Sequence, residues 1–217
     1  MRQSPEILAP AGSRQALTAA VQSGADAVYL GGPQFGARYS AENFTIEEMK
    51  TWVDYCHLYG VDVHVTVNTL VKEKEIESLK EYLKQLNEIG VDALIVQDMG
   101  AVEIIKKTVP DMTLHASTQM TVTSLEGVKY LEDMGFSRVV LARELSEKEI
   151  EHICKNAKAE IEVFVHGAIC MCYSGQCLMS SILGGRSGNR GRCAQPCRLP
   201  YDLLENGKTV KSGYVLS

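Results

Sequence analysis

Along this chain an amphipathic helical pattern repeatedly closes on a glycine, and a short apolar run begins a few residues later. Gly24 leads into residues 27–30, Gly60 into 63–67, Gly90 into 93–96 and Gly135 into 139–141. A glycine at such a point suits the left-handed residue that ends a helix. Adding residues 7–9, 114–116 and 161–165 gives seven predicted strands, with six helical patterns between them. Strands of near-continuous apolar character alternating with helices predict a parallel sheet covered by helices. The units are short and uniform, and no Gly-x-Gly-x-x-Gly follows a strand, so a TIM-type (βα) barrel is expected rather than an open dinucleotide-binding sheet.

Seven strands leave such a barrel incomplete, or completed after a cysteine-rich segment that begins near residue 166. The expected organisation is therefore a barrel region at 1–165, a cysteine-, arginine- and glycine-rich segment at 166–199, and a hairpin with the start of a further element at 200–217. In the last part Glu205-Asn206-Gly207-Lys208 is a hairpin-turn signal, and Tyr214-Val215-Leu216 reads as a strand without a cap. That ending is what truncation of a longer protein would leave.

The composition is that of an ordinary globular chain of 217 residues, with 45% hydrophobic residues and a net charge of −5. No apolar run is long enough to span a membrane, and residues 1–10 lack a signal peptide's basic and apolar regions, so a cytoplasmic location is expected. An acidic pI of about 5.6 argues against binding nucleic acid through bulk charge. The basic stretch at 184–199 could still do so locally.

In a parallel barrel the chemistry gathers at the C-terminal ends of the strands. The residues expected there are Arg38 beyond Gly31-Gly32, then Asn68, Gln97, Asp98, His115, Gln119, Arg143, Glu144 and His166. Asp98 reads as the N-cap of the helix after it, and Asn68 and Gln97 as caps or ligand contacts. Arg143 and Glu144 read as an ion pair, although Glu144 belongs with His115 and His166 among groups able to move a proton. Gly31-Gly32-Pro33 with Phe35-Gly36-Ala37-Arg38 forms a glycine-rich loop, in which Arg38 could hold a carboxylate or phosphate.

Of seven cysteines, Cys56 and Cys154 fall in helical patterns and read as core residues. Cys170, Cys177, Cys193 and Cys197 lie together with Cys172, beside Arg186, Arg190, Arg192 and Arg198, and no acidic residue interrupts residues 170–198. Thiols kept in a reducing compartment serve metals or catalysis. The spacing lacks paired Cys-x-x-Cys knuckles, which makes structural zinc the weaker alternative. An anionic iron–sulfur centre tolerates irregular spacing and gains from neighbouring arginines. A cysteine nucleophile with His115 or His166 as base would use only one of the thiols.

The run Glu162-Val163-Phe164-Val165-His166-Gly167-Ala168-Ile169-Cys170, with Gly175-Gln176-Cys177-Leu178-Met179-Ser180, resembles the signature of the collagenase-like peptidases of family U32. Likeness extends from Glu6-Ile7-Leu8-Ala9-Pro10 through Gly24-Ala25-Asp26-Ala27 to Arg198-Leu199-Pro200-Tyr201, over the N-terminal catalytic region of longer members. The closest branch is the one associated with 5-hydroxycytidine in ribosomal RNA. The resemblance implies oxygen-independent hydroxylation of RNA, at a ribosomal cytidine or a tRNA uridine, with a small carboxylate such as prephenate as donor. It also implies a 4Fe-4S cluster, on Cys170, Cys177, Cys193 and Cys197. Arg38, Asn68, Gln97, Gln119, Arg143, Arg186, Arg190 and Arg192 would then contact substrate. The alternatives are a collagenase-like peptidase, and a non-catalytic scaffold that needs a partner protein or further C-terminal chain.

Overall fold

The computed structural model describes residues 4–37 and 42–216. Seven strands, β1 (Leu8–Pro10), β2 (Ala27–Gly31), β3 (Asp62–Val67), β4 (Ala93–Val96), β5 (Thr113–Ala116), β6 (Arg138–Val140) and β7 (Glu160–Glu162), form one sheet in sequence order, every neighbouring pair parallel. Helices α1 (Arg14–Gln22), α2 (Ile46–Leu58), α3 (Ile76–Glu88), α4 (Met99–Thr108), α5 (Leu125–Asp133) and α6 (Glu147–Asn156) make the crossovers. A short α7 (Met179–Gly184) and an antiparallel hairpin, β8 (Tyr201–Glu205) and β9 (Lys208–Gly213), follow.

Local chemistry sets the helix limits. Ser13, Asp98 and Ser124 accept from Ala16, Ala101 and Gly127 N–H at the starts of α1, α4 and α5, and Thr45 and Ser146 form capping boxes with Glu48 and Glu149. Such caps stabilise by about 1 kcal/mol each. The glycines past α1, α2, α3 and α5 all take positive φ, between 71° and 85°. Each is followed by an N–H that bonds back to the carbonyl five residues earlier, as Val61 does to Cys56 and Val91 to Leu86.

The hydrophobic core lies outside the sheet. Val28, Leu30, Val63, Val65, Val67, Leu94, Val96, Leu114, Val139 and Leu141 pack on Leu17, Met49, Val53, Leu79, Leu83, Ile105 and Val128 of the helices. The pleat turns the alternate residues inward, and many of those are polar: Tyr29, His64, Thr66, His115, Arg138, Glu160 and Glu162 line one face across β2 to β7. The expectation of near-continuously apolar strands therefore holds for one face only, because the inner face encloses polar groups.

Those groups curl the sheet. Arg138, at the start of β6, donates two hydrogen bonds of 2.8 and 3.0 Å to Glu6, which precedes β1, and others to Glu160 on β7. In a flat sheet five spacings of about 4.8 Å would hold β1 and β6 roughly 24 Å apart. A pair at bonding distance requires a curved half-barrel, tied at its N-terminal rim. Above it His64 and His115, 3% and 4% exposed, meet edge to face with ring centroids 4.6 Å apart. Burial, then the Arg138 charge, lowers His64 to about 4; burial, then His64, lowers His115 to about 3. Both imidazoles are therefore neutral at pH 7. Burial pushes Glu162 up to about 7 against the attraction of Arg138.

Four expectations are corrected. The last strand of the sheet ends at Glu162 rather than residue 165, because its only partner, β6, is three residues long, and Val163, Phe164 and Val165 are exposed. Residues 215 and 216 form a turn rather than continuing a strand from 214. Cys56 is buried in the core, whereas Cys154 lies on the exposed side of α6. His115 points into the barrel rather than standing at its mouth, because its register with Arg138 places it on the inner face. The Asn206-Gly207 turn closes the β8–β9 hairpin with both φ positive.

Removing the Arg138 tie by Arg138→Leu is expected to lower the unfolding free energy by about 3 kcal/mol, because it leaves partly buried carboxylates without a counter-charge. Urea denaturation measures this. Glu162 supplies a pH test of opposite sign. Its folded value of about 7 exceeds the ordinary 4.5, so the folded state holds an extra proton between those pH values and loses stability as pH rises through them. Glu162→Gln removes that loss, so the variant's advantage over wild type should be greater at pH 8 than at pH 4.5.

Candidate functional site

Beyond Glu162 the chain leaves the sheet and crosses the C-terminal mouth of the half-barrel as a strap, docked at two ends. At the first end Ser174 is fully buried: its N–H donates to Glu144 Oε1 at 3.0 Å, its hydroxyl accepts from Arg143 Nε at 3.2 Å, and its carbonyl accepts from Thr121 at 2.6 Å. The next residue, Gly175, has φ 72° and lies so close to the Gln119 carbonyl that a Cβ would stand 2.1 Å from its oxygen. This end therefore rests on the loops that follow β5 and β6.

The second end rests on the loops after β2, β3 and β4. The Asn189 carbonyl accepts from Leu70 N–H at 3.0 Å and from Gln97 Nε2 at 3.3 Å. Arg190 makes a two-pronged pair with Glu75, at 2.5 and 2.8 Å, and also donates to the Leu70 carbonyl. The hydrogen bonds from Arg190 hold the Glu75 carboxyl down to about 2. Gly191, φ 73°, approaches the Gly36 carbonyl closely enough that a Cβ would be 2.4 Å away. At both ends an L side chain is excluded by contact and by backbone conformation.

Around the anchors the thiols are gathered but not converged: Cys177 lies between them in sequence, Cys170 and Cys172 before the first, and Cys193 and Cys197 after the second. The Cys172 thiol lies against Cys177 and near Cys170, and partial burial, then Cys177, raises it above the ordinary thiol range. Gly188 sits between the Cβ of Cys193, 3.8 Å from where its own Cβ would stand, and the Cys177 carbonyl at 3.9 Å. Cys197 follows Pro196 in a 3₁₀ turn packed on α7. Among the described residues no three of His, Cys, Asp or Glu stand within reach of one metal ion. A single zinc ion needs its thiolates around one point, whereas each thiolate of an iron–sulfur cluster meets its own iron. The donor chemistry, soft thiols beside arginines with no competing carboxylate in the segment, suits the second kind of centre.

Under the strap lies a cavity of about 190 Å³, lined by the loop 32–36, Asn43, Thr69, Glu75, Ser78, Arg190 and Arg192. Two of its lining residues that are not glycine, Phe35 and Asn43, hold positive φ, 59° and 40°. Behind Gly32 the Tyr82 hydroxyl is buried without a hydrogen-bond partner.

The residues expected from sequence divide accordingly. Asn68 accepts from Ala37 N–H and donates to Ser117, and Gln97 holds Asn189, so both join the mouth to its covering loops. Glu144 and Arg143 grip Ser174, and Arg190 grips Glu75. Gln119 supplies the carbonyl beneath Gly175 and keeps a buried side-chain oxygen without a partner. Arg186 and His166 are exposed, Arg186 donating to the Arg192 carbonyl. Arg38 lies outside the described residues. Sequence reasoning missed Glu75, Ser174, His64 and Arg138. Glu75 sits in a run of alternating lysine and glutamate with nothing to mark it, and Ser174 announces itself only by preceding Gly175.

Gly175→Ala should release the first anchor without touching the barrel. Proteolytic cleavage within 166–199 is expected to rise about tenfold or more while the main thermal transition stays in place. Unchanged cleavage would contradict the docking just described.

Comparison with known proteins agrees with this architecture. The family model described as peptidase family U32 matches residues 12–217. The chain is 45% identical over 207 residues to the 23S rRNA 5-hydroxycytidine C2501 synthase of Escherichia coli, covering 95% of this chain and 31% of that protein. It is 41% identical over 201 residues to tRNA hydroxylation protein P1 of Bacillus subtilis, covering 93% of this chain and 48% of the relative. The chain thus spans 31% and 48% of the length of these two relatives. The solved structure of the U32 peptidase Mk0906 superposes with a TM-score of 0.61 at 20% identity, over 75% of this chain and 70% of that one, a likeness of fold. With a family match over nearly its whole length, the chain belongs to peptidase family U32.

Proposed function

We propose that this chain is the barrel and thiol-bearing part of an RNA-hydroxylating protein that adds oxygen to a pyrimidine, at a ribosomal cytidine or a tRNA uridine. The observation that carries this reading is the 45% identity to a ribosomal RNA hydroxycytidine synthase across 95% of the chain. It is supported by a strap that sets several thiols and arginines over the barrel mouth. In this reading Cys170, Cys177, Cys193 and Cys197 hold a 4Fe-4S cluster, which would supply electron transfer without molecular oxygen. A small carboxylate such as prephenate is the oxygen donor, and the reaction belongs to the cytoplasm, with its RNA. Among the described residues no helix is long and apolar enough to cross a membrane.

The chain's own groups have separate tasks. Exposed Arg186, with Arg192 and Arg198, offers guanidinium groups to RNA phosphates on the open side of the strap. Arg143, Glu144, Glu75 and Arg190 act as positioning residues, because their charges are spent on the strap. His166, exposed where the strap begins, is placed to exchange protons with substrate, whereas His115 is shut inside the barrel as a neutral ring.

RNA mass spectrometry tests the reading in an Escherichia coli strain lacking the 5-hydroxycytidine synthase, complemented with this chain in a full-length relative's context. The expected outcome is one added oxygen on a pyrimidine of ribosomal or transfer RNA, lost with Cys177→Ser. No oxygen gained, together with gelatin cleavage that disappears in Cys170→Ala, would replace it with a peptidase reading.

A further inference from the structure

The cavity beneath the strap has a lining that neither the thiols nor the anchoring pairs require. Its carboxylate, Glu75, and one of its two guanidiniums, Arg190, neutralise each other through two hydrogen bonds, so an incoming anion finds that charge already spent. What remains is largely neutral. Gln34, Asn43, Thr69 and Ser78 contribute amides and hydroxyls that both donate and accept, and Phe35 and Pro33 contribute flat apolar surface. Phe35 is backed by Tyr82, ring centroids 5.9 Å apart.

The backbone of this lining marks it as built for a ligand, and an unpartnered hydroxyl stands directly behind it. Phe35 and Asn43 both sit in the left-handed backbone region, which costs on the order of 1–3 kcal/mol each and concentrates at ligand sites. The Tyr82 hydroxyl, on a residue only 4% exposed, has no partner and lies behind Gly32, where a Cβ would come within 1.9 Å of it. At about 190 Å³ the cavity is smaller than the roughly 300–1,000 Å³ that holds a drug-sized ligand. That volume favours a single ring over a fused pair.

We propose that the cavity receives one pyrimidine base turned out of its stack in single-stranded RNA. Phe35 lies against the ring, the amides and hydroxyls meet its donor and acceptor edge, and Arg192 serves the adjoining phosphate. This assignment rests on the RNA reading above and adds to it the place where the base is held. A neutral ring with both donors and acceptors matches the wall, whereas a dicarboxylate would need a second cation beside Arg192.

Ligand-observed NMR on the whole chain tests it, with uridine and cytidine monophosphates as probes and adenosine monophosphate and malonate as competitors. A pyrimidine nucleotide should bind about tenfold or more tightly than the purine and should not be displaced by malonate. Phe35→Leu, which keeps apolar packing against Tyr82 but loses the flat ring, should weaken binding roughly 5- to 150-fold. Ser78→Trp, made from the exposed side of α3, should fill the cavity and abolish binding while circular dichroism reports an intact fold. Equal binding to Ser78→Trp, or displacement by malonate, overturns the assignment. Photo-crosslinking of a single-stranded RNA carrying 4-thiouridine separates the two levels. Crosslinks in the peptide spanning residues 32–37 support the base site, and crosslinks confined to 163–183 overturn it while leaving the RNA reading standing. Absence of RNA binding overturns both.

Discussion

A parallel sheet of seven strands has two free edges, and left flat it would present a polar inner face to water instead of enclosing a site. The contact that prevents this is Arg138 reaching from β6 across the interior to Glu6 before β1 while holding Glu160 on β7. One guanidinium with a rigid fork of donors can satisfy carboxylates from two sides at once, which a lysine ammonium could not do with the same geometry. The charges cost desolvation, and this pairing offsets it. Curvature at the lower rim then sets the spacing of the upper rim, where every anchoring loop of the strap begins.

The upper rim uses that spacing. Loops after β5 and β6 hold Ser174 and Gly175, and loops after β2, β3 and β4 hold Asn189, Arg190 and Gly191, so the strap spans the mouth only if the sheet is curled. Charged residues near the mouth serve largely as fasteners: Glu144 and Arg143 at one end, Glu75 and Arg190 at the other. The thiols around them remain exposed or half-buried, as ligands and reactive groups need to be. Rigidity at two points with accessible thiols beside them is the arrangement a substrate-facing centre requires.

Much of this was legible in sequence, for identifiable reasons. The helix-closing glycines at 24, 60, 90 and 135 and the apolar outer faces of the strands record local rules, and those rules hold where packing is uniform. Asp98 as a cap was readable for the same reason. Long-range pairings were not readable: nothing near Arg138 points to Glu6, 132 residues away, and nothing in the charged run around Glu75 points to Arg190. The inward face was misread because His64 sits singly between Val63 and Val65 and His115 between Leu114 and Ala116, and a polar residue every second position dilutes rather than breaks an apolar run. The cysteine and arginine concentration was visible at once. Its division into anchors and open thiols depends on contacts made only after folding.

We propose that the strap over this half-barrel holds a soft-metal, redox-capable centre rather than acting as a structural staple. Iron and acid-labile sulfide measured in anaerobically purified protein address it most directly. Equal amounts of both are expected, about four of each per chain for a cubane cluster, with loss of both when Cys177 and Cys193 are replaced by serine. Stoichiometric zinc without sulfide would contradict it.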